Sequence, residues 1–208
     1  MANKLYENDL PEDFDWSGAR DGCVAVDSET LGLNPARDRL CVVQLSLGDG
    51  HAHLVQLRRD GYEAPRLKAL MADESVTKIF HYARFDVAVM KAYLGVDTSP
   101  IYCTKIASKL VRTYTDRHGL KDLLREAVGV ELSKQQQSSD WGAETLSDAQ
   151  KAYAASDVLH LHDAKAWLDE RLEREGRRHL AEAAFAFLPT RAALDLGGWG
   201  ETDIFAHA

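Results

Sequence analysis

"VAVDSETLGL", Val24 to Leu33, is the stretch that decides the fold. Val24, Ala25 and Val26 read as a buried strand that runs directly into Asp27, Ser28 and Glu29. In a strand, residues i and i+2 share a face. Asp27 and Glu29 therefore point the same way, at a carboxyl end of the kind where open α/β sheets bind ligands. An ionised carboxylate in apolar surroundings needs a partner. The two acids either emerge into solvent before a loop or share something positive.

Outward from this stretch, the chain alternates between short apolar runs and helical patterns. Cys23–Asp27, Leu40–Leu47 and His51–Val55 read as strands, with a hairpin at Gly48-Asp49-Gly50 between the last two. Residues 64–71 read as a helix, 77–81 as an inner strand, and 85–93 as a helix closed by Gly95. Helices follow over 104–111 and 120–128, then a polar loop, "ELSKQQQSSDWGAE". Ser147 is placed to cap a long helix reaching about Glu175. A last helix over about 178–187 is expected to end at Pro189, and the glycines of "LDLGGWGETDIFAHA" argue against further helix. Early strands and later helices fit an α/β fold with a mixed sheet flanked by helices. The expectation is one domain over 1–208, with a core of about 22–175 and a helix and tail over 178–208.

Composition narrows the function. Of the 208 residues, 45% are hydrophobic and 28% charged, as in ordinary globular proteins. The net charge of −8 disfavours a protein that coats long nucleic acids. No apolar run approaches the ~18 residues of a membrane span, and the polar, acidic start does not read as a signal peptide. Cys23, Cys41 and Cys103 are scattered and form no CxxC pair, which fits reduced thiols and a cytoplasmic location.

Two further acids turn the pair into a site. Asp86 lies where a short strand gives way to a helix, and Asp157 lies in an amphipathic helix with Tyr153 one turn before it on the same face. Four carboxylates brought together would repel unless divalent cations held them. Mg²⁺ takes a few carboxylates and keeps positions for water and phosphate. A pair of such ions suits in-line displacement at phosphorus, and a tyrosine hydroxyl can orient the attacking water.

The segments "DSET" (Asp27–Thr30), "HYARFD" (His81–Asp86) and "YAASD" (Tyr153–Asp157) resemble the three exonuclease motifs of the DEDD superfamily. The tyrosine four residues before the last aspartate is similar to the ribonuclease D-like subclass. The resemblance covers about Val24 to Leu172. It implies a ribonuclease H-like fold and 3′–5′ removal of nucleotides with two Mg²⁺ or Mn²⁺ ions. Asp27, Glu29, Asp86 and Asp157 carry over as metal ligands, and Tyr153 as the residue that positions water. Tyr82 departs from the pattern, since many relatives have asparagine there. Small size, "KQQQSSDW" and the "GGWGETDIFAHA" ending resemble the nanoRNase C group, compact bacterial enzymes that degrade very short RNAs, above all dinucleotides, as octameric rings.

Several residues are candidates for holding substrate, each with a plainer alternative. Leu31 and Leu33 either pack against bases or fill the core. Lys134, Gln137 and Ser138 either bind a terminal phosphate or sit in a solvated loop. Arg112, beside Tyr114, Arg117 and His118, either contacts substrate or belongs to a surface turn. His81 either meets substrate or, like His160 and His162, serves packing. The tail, with Trp199, Ile204 and Phe205, is expected to dock on a neighbouring copy in a homo-oligomer or to fold back on its own domain. The alternatives for the whole chain are a general ribonuclease D-like enzyme trimming longer structured RNA, one degrading DNA, and a binding module without catalysis.

Overall fold

The computed structural model describes residues 3–133 and 135–207. Six strands form one mixed sheet: β1 (Lys4–Glu7), β2 (Cys23–Thr30), β3 (Leu40–Ser46), β4 (His53–Gln56), β5 (Thr77–Phe80) and β6 (Ile101–Cys103), in spatial order β1-β4-β3-β2-β5-β6. β3 runs antiparallel to β2 and β4, and the other neighbours are parallel. All seven residues of β3 are buried. Successive side chains alternate between faces, so both faces of the sheet are covered there. The mixed α/β architecture expected from the strand and helix pattern is the one observed.

Seven helices flank the sheet: α1 (Pro65–Ala72), α2 (Ala83–Leu94), α3 (Thr104–Val111), α4 (Leu120–Val128), α5 (Asp148–Leu159), α6 (Leu161–Arg174) and α7 (Arg178–Leu194). Ser147 caps α5 as expected: its hydroxyl accepts from the Gln150 amide at 3.2 Å, while the Gln150 side chain accepts from the Ser147 amide at 3.0 Å. Satisfying both orphan groups fixes where α5 begins.

Three expectations need correction. The helix expected to run unbroken from Ser147 to about Glu175 breaks at His160, whose φ of −111° and ψ of 5° lie outside the helical well. The restart lets His162, 4% exposed, bond the Cys23 carbonyl through Nε2 at 2.9 Å and tie α6 to β2. Pro189 does not end the last helix; α7 continues to Leu194 and a further turn covers Asp195–Trp199. Phe185, Leu188 and Ala192 are buried on both sides of the proline at helical spacing, so packing outweighs the lost hydrogen bond. β1 was not anticipated, because this short edge strand carries no apolar alternation. Its Tyr6 ring stacks on His53 at 6.0 Å.

The three cysteines are buried and unpaired. No helix among the described residues is long and apolar enough to cross a membrane. The tail folds back on its own chain at both of its ends: the Gly200 carbonyl accepts from Arg84 and Arg191, and Phe205 lies 6.0 Å from Phe187.

Candidate active site

The sheet and α5 build one large cleft, about 660 Å³. β2 contributes Asp27 and Glu29 from one face, two residues apart, and α5 contributes Tyr153 and Asp157, one turn apart. Carboxylate oxygens of Asp27, Glu29 and Asp157 lie within 4.8 Å of one another. Asp86, in the first turn of α2, stands behind them: it is 3% exposed and accepts from the Ser28 hydroxyl at 2.6 Å. The residue between the two β2 acids thus holds the third acid in place. Gln44, on the neighbouring strand β3, donates to Asp27 at 2.7 Å.

Among the described residues, no lysine or arginine forms an ion pair with any of the four acids, and their protonation reflects it. Burial, then the charges of Asp86, Asp157 and Glu29, hold Asp27 well above its ordinary range. Burial first, and then Asp157 and Asp86, push Glu29 up to about 9. Burial raises Asp86 to about 7 against the opposing Ser28 hydrogen bond. Burial likewise raises Asp157 to about 7, with Tyr153 working in the opposite direction. Close carboxylates of this kind cannot all be ionised without a counter-charge. Hard oxygen donors converging in this way fit Mg²⁺ or Mn²⁺, and nothing in the set favours a softer metal. Asp27, Glu29 and Asp157, with Asp86 beside them, are the residues that could hold such ions.

Tyr153 packs against buried Trp141 with ring centroids 6.0 Å apart. Burial and then the neighbouring carboxylates raise its phenol, so it stays protonated and acts as a donor. The tryptophan that orients this ring comes from the loop before α5 and was not singled out from sequence.

The remaining candidates separate cleanly. Leu31 and Leu33 line the cleft and are not core: they are 49% and 89% exposed. Gly142 backs Leu31, since a Cβ there would lie 2.8 Å from the Leu31 Cδ2 atom. Gln137, Ser138 and His81 also line the cleft, and His81 Nδ1 lies 2.9 Å from the Thr104 hydroxyl. Lys134 lies outside the described residues. Arg112 is a correction: it is 2% exposed and absent from the cleft wall. Its guanidinium is spent on Glu126 at 2.7 Å, the Ser108 hydroxyl and the Arg117 carbonyl. Its cluster is structural because a buried cation must be fully partnered. Lys105 and Lys121 do line the cleft and were missed; isolated lysines on amphipathic helices give no sequence signal.

Comparison with known proteins agrees with this geometry. The 3′–5′ exonuclease family matches residues 4–173. Ribonuclease D of Gluconacetobacter diazotrophicus is 35% identical over 158 residues, which are 76% of this chain and 40% of that protein. The chain spans about two fifths of the length of the curated relatives it matches. The structure of Brucella melitensis NrnC bound to pGG is 57% identical, with a TM-score of 0.94 over 100% of both chains. The same protein with bound Mg²⁺ is 56% identical, with a TM-score of 0.93 over the full length of both. The chain belongs to the 3′–5′ exonuclease family and is a DEDD exonuclease similar to NrnC along its whole length.

Proposed function

We propose that this protein hydrolyses very short RNAs from the 3′ end, dinucleotides above all, releasing mononucleotides. The observation that carries the reading is the cleft itself. Three mutually close carboxylates and a tyrosine donor form its floor, and two exposed leucines form its lip. Asp27, Glu29, Asp86 and Asp157 would hold two divalent cations, which supply charge stabilisation at the phosphoryl oxygens and lower the pKa of the attacking water. The chain's own groups do the rest. Gln44 and Ser28 fix the acids, so little reorganisation is needed when substrate arrives. The Tyr153 hydroxyl orients the water along the line of attack on the terminal phosphodiester. Water adds across the P–O bond, the 3′-terminal nucleotide leaves with the phosphate, and the shortened chain recovers its 3′ hydroxyl. Leu31 and Leu33 offer apolar surface to the bases, and Gln137 and Ser138 offer hydrogen-bond donors at the other end.

A short substrate with few phosphates gains little from a broad basic field, which suits a chain of net charge −8. The Brucella protein was seen with pGG, a dinucleotide; the same substrate class is proposed here. The tail bearing Trp199, Ile204 and Phe205, 44–78% exposed at these positions, would join copies into a closed homo-oligomer. The test is turnover of labelled RNAs from two to about twenty nucleotides with Mg²⁺ and with EDTA. Dinucleotides should turn over fastest and only with metal. Equal rates along the series would return the protein to a general ribonuclease D-like role, and faster turnover of DNA would replace RNA as substrate.

A further inference from the structure

A second groove, about 300 Å³, adjoins the catalytic cleft, with Lys105 as the wall they share. Its floor is apolar, from α3 and α7, with Phe187 among its residues. Its rim carries Arg84, Lys105, Lys109 and Arg191, in a protein whose net charge is −8. Arg84 and Arg191 are already paired with one carboxylate, Asp195, at 2.6 and 2.5 Å, which leaves Lys105 and Lys109 as the rim cations that a ligand can use. Glu201 of the tail adds a weaker field at Arg84.

Lys105 and Lys109 stand at i and i+4 on α3, where like charges repel. Among the described residues neither forms an ion pair with a carboxylate. The Lys105 ammonium instead lies 4.2 Å from the centre of the Tyr82 ring, which is 44% exposed. Tyr82 is held in the left-handed region, at φ 74°. Few non-glycine residues stand there, and asparagine is favoured among those that do. A bulky ring in that conformation lines the groove beside Lys105, the residue the two cavities share. Cations along a groove that is also lined by an exposed aromatic ring are what single-stranded nucleic acids bind, phosphates on the charges and a base on the ring.

We propose that this groove receives the 5′ extension of a single-stranded RNA whose 3′ end lies among the cleft acids, with Tyr82 as stacking platform and Lys105 and Lys109 on successive phosphates. The proposal rests on the exonuclease reading above. It makes the groove the element that decides how chains longer than a dinucleotide are held.

The experiment compares the full-length wild type with Lys109→Ala and Lys109→Arg, using an RNA dinucleotide and a heptanucleotide with Mg²⁺. The heptanucleotide is read both as substrate and as competitor of the dinucleotide. Lys109 is exposed and outside the catalytic cleft, so dinucleotide turnover should not change. Lys109→Ala should raise the heptanucleotide KM and inhibition constant about fivefold and flatten its log–log salt dependence by about 0.7, one phosphate contact on a single strand. Lys109→Arg should restore both. Unchanged heptanucleotide affinity in Lys109→Ala overturns the proposal. A change in sedimentation without a change in affinity also overturns it, and makes the groove a contact between copies. A wild type that hydrolyses neither RNA would instead defeat the exonuclease reading beneath it.

Discussion

Asp157 and Asp195 are the same residue type, each about nine-tenths buried, yet they are shifted in opposite directions. Asp157 sits with other carboxylates, and burial pushes it up to about 7. Asp195 is also disfavoured by burial, but hydrogen bonds from Arg84 and Arg191 override that and hold it below its ordinary value. Its oxygens accept from Arg84 at 2.6 and 2.8 Å and from Arg191 at 3.0 and 2.5 Å. Lys78 repeats the lesson with the other sign. It is fully buried in β5, and its ammonium donates to the carbonyls of Asp73, Val76 and Ser99. A buried charge that the chain itself completes is architecture. A set of buried charges that the chain leaves incomplete is a site waiting for something from outside.

The largest effect should come from the incomplete set. Asp157→Ala is expected to lower turnover by about 10³-fold or more, the scale of losing preorganised transition-state stabilisation. Relief of repulsion should leave its metal-free melting temperature unchanged or raised. Wild-type turnover at saturating Mg²⁺ would remove Asp157 from the catalytic set. Tyr153→Phe comes next. It keeps the ring against Trp141 and loses only the hydroxyl, so kcat should fall by roughly 10²-fold with KM little altered. An unaltered kcat would make Tyr153 a packing residue.

The complete set should respond in stability and not in chemistry. Asp195→Ala removes the acceptor of two partly buried guanidiniums, and charged hydrogen bonds of this kind are each worth about 1.5–3 kcal/mol. With Arg84 still about a third exposed and able to reach water, a net loss of about 2 kcal/mol is expected. Thermal melts should then drop by about 4–8 °C. Dinucleotide turnover at low temperature should hold. A neutral effect on melting would mean that the arginines, and not the acid, organise the start of the tail.

How much of this was legible beforehand depended on the range of each signal. Asp27 and Glu29 follow from strand periodicity, and Tyr153 and Asp157 from helical periodicity; both are local rules. Gly95, in the left-handed conformation as the C-cap of α2, was equally local and was read correctly. What failed was nonlocal. Arg112 has the composition of a substrate contact, but its role is set by Glu126, fourteen residues on. Pro189 breaks helices in isolation, but its neighbours' packing decides otherwise. His160 marks a helix break without proline or glycine, because the turn serves a bond from His162 to a distant strand. Trp141 and Lys105 reached the cleft by tertiary folding alone.

The smallest expected effect separates the two regions most sharply, because their pH dependences have opposite sign. In the cleft, Asp86 and Asp157 rise from an ordinary 3.8 to about 7, and Glu29 from 4.5 to about 9. Without metal, the folded protein therefore binds more protons than the unfolded chain between about pH 4 and pH 9. Stability must then fall as pH rises through that window. Asp195, shifted downward, contributes stability that is present above its ordinary value and lost only as pH falls below it. Metal binds the deprotonated acids, so it should stabilise most where the cleft is least stable. In EDTA the melting temperature should drop by several degrees from pH 6 to pH 9. Mg²⁺ or Mn²⁺ should recover more of it at pH 9 than at pH 6. In Asp195→Ala the cleft's slope should persist, while in Asp157→Ala it should shrink. A melting temperature in EDTA that rises from pH 6 to pH 9 would show that the cleft acids are not held protonated by one another. The contrast between an open and a closed set of buried charges would then fail.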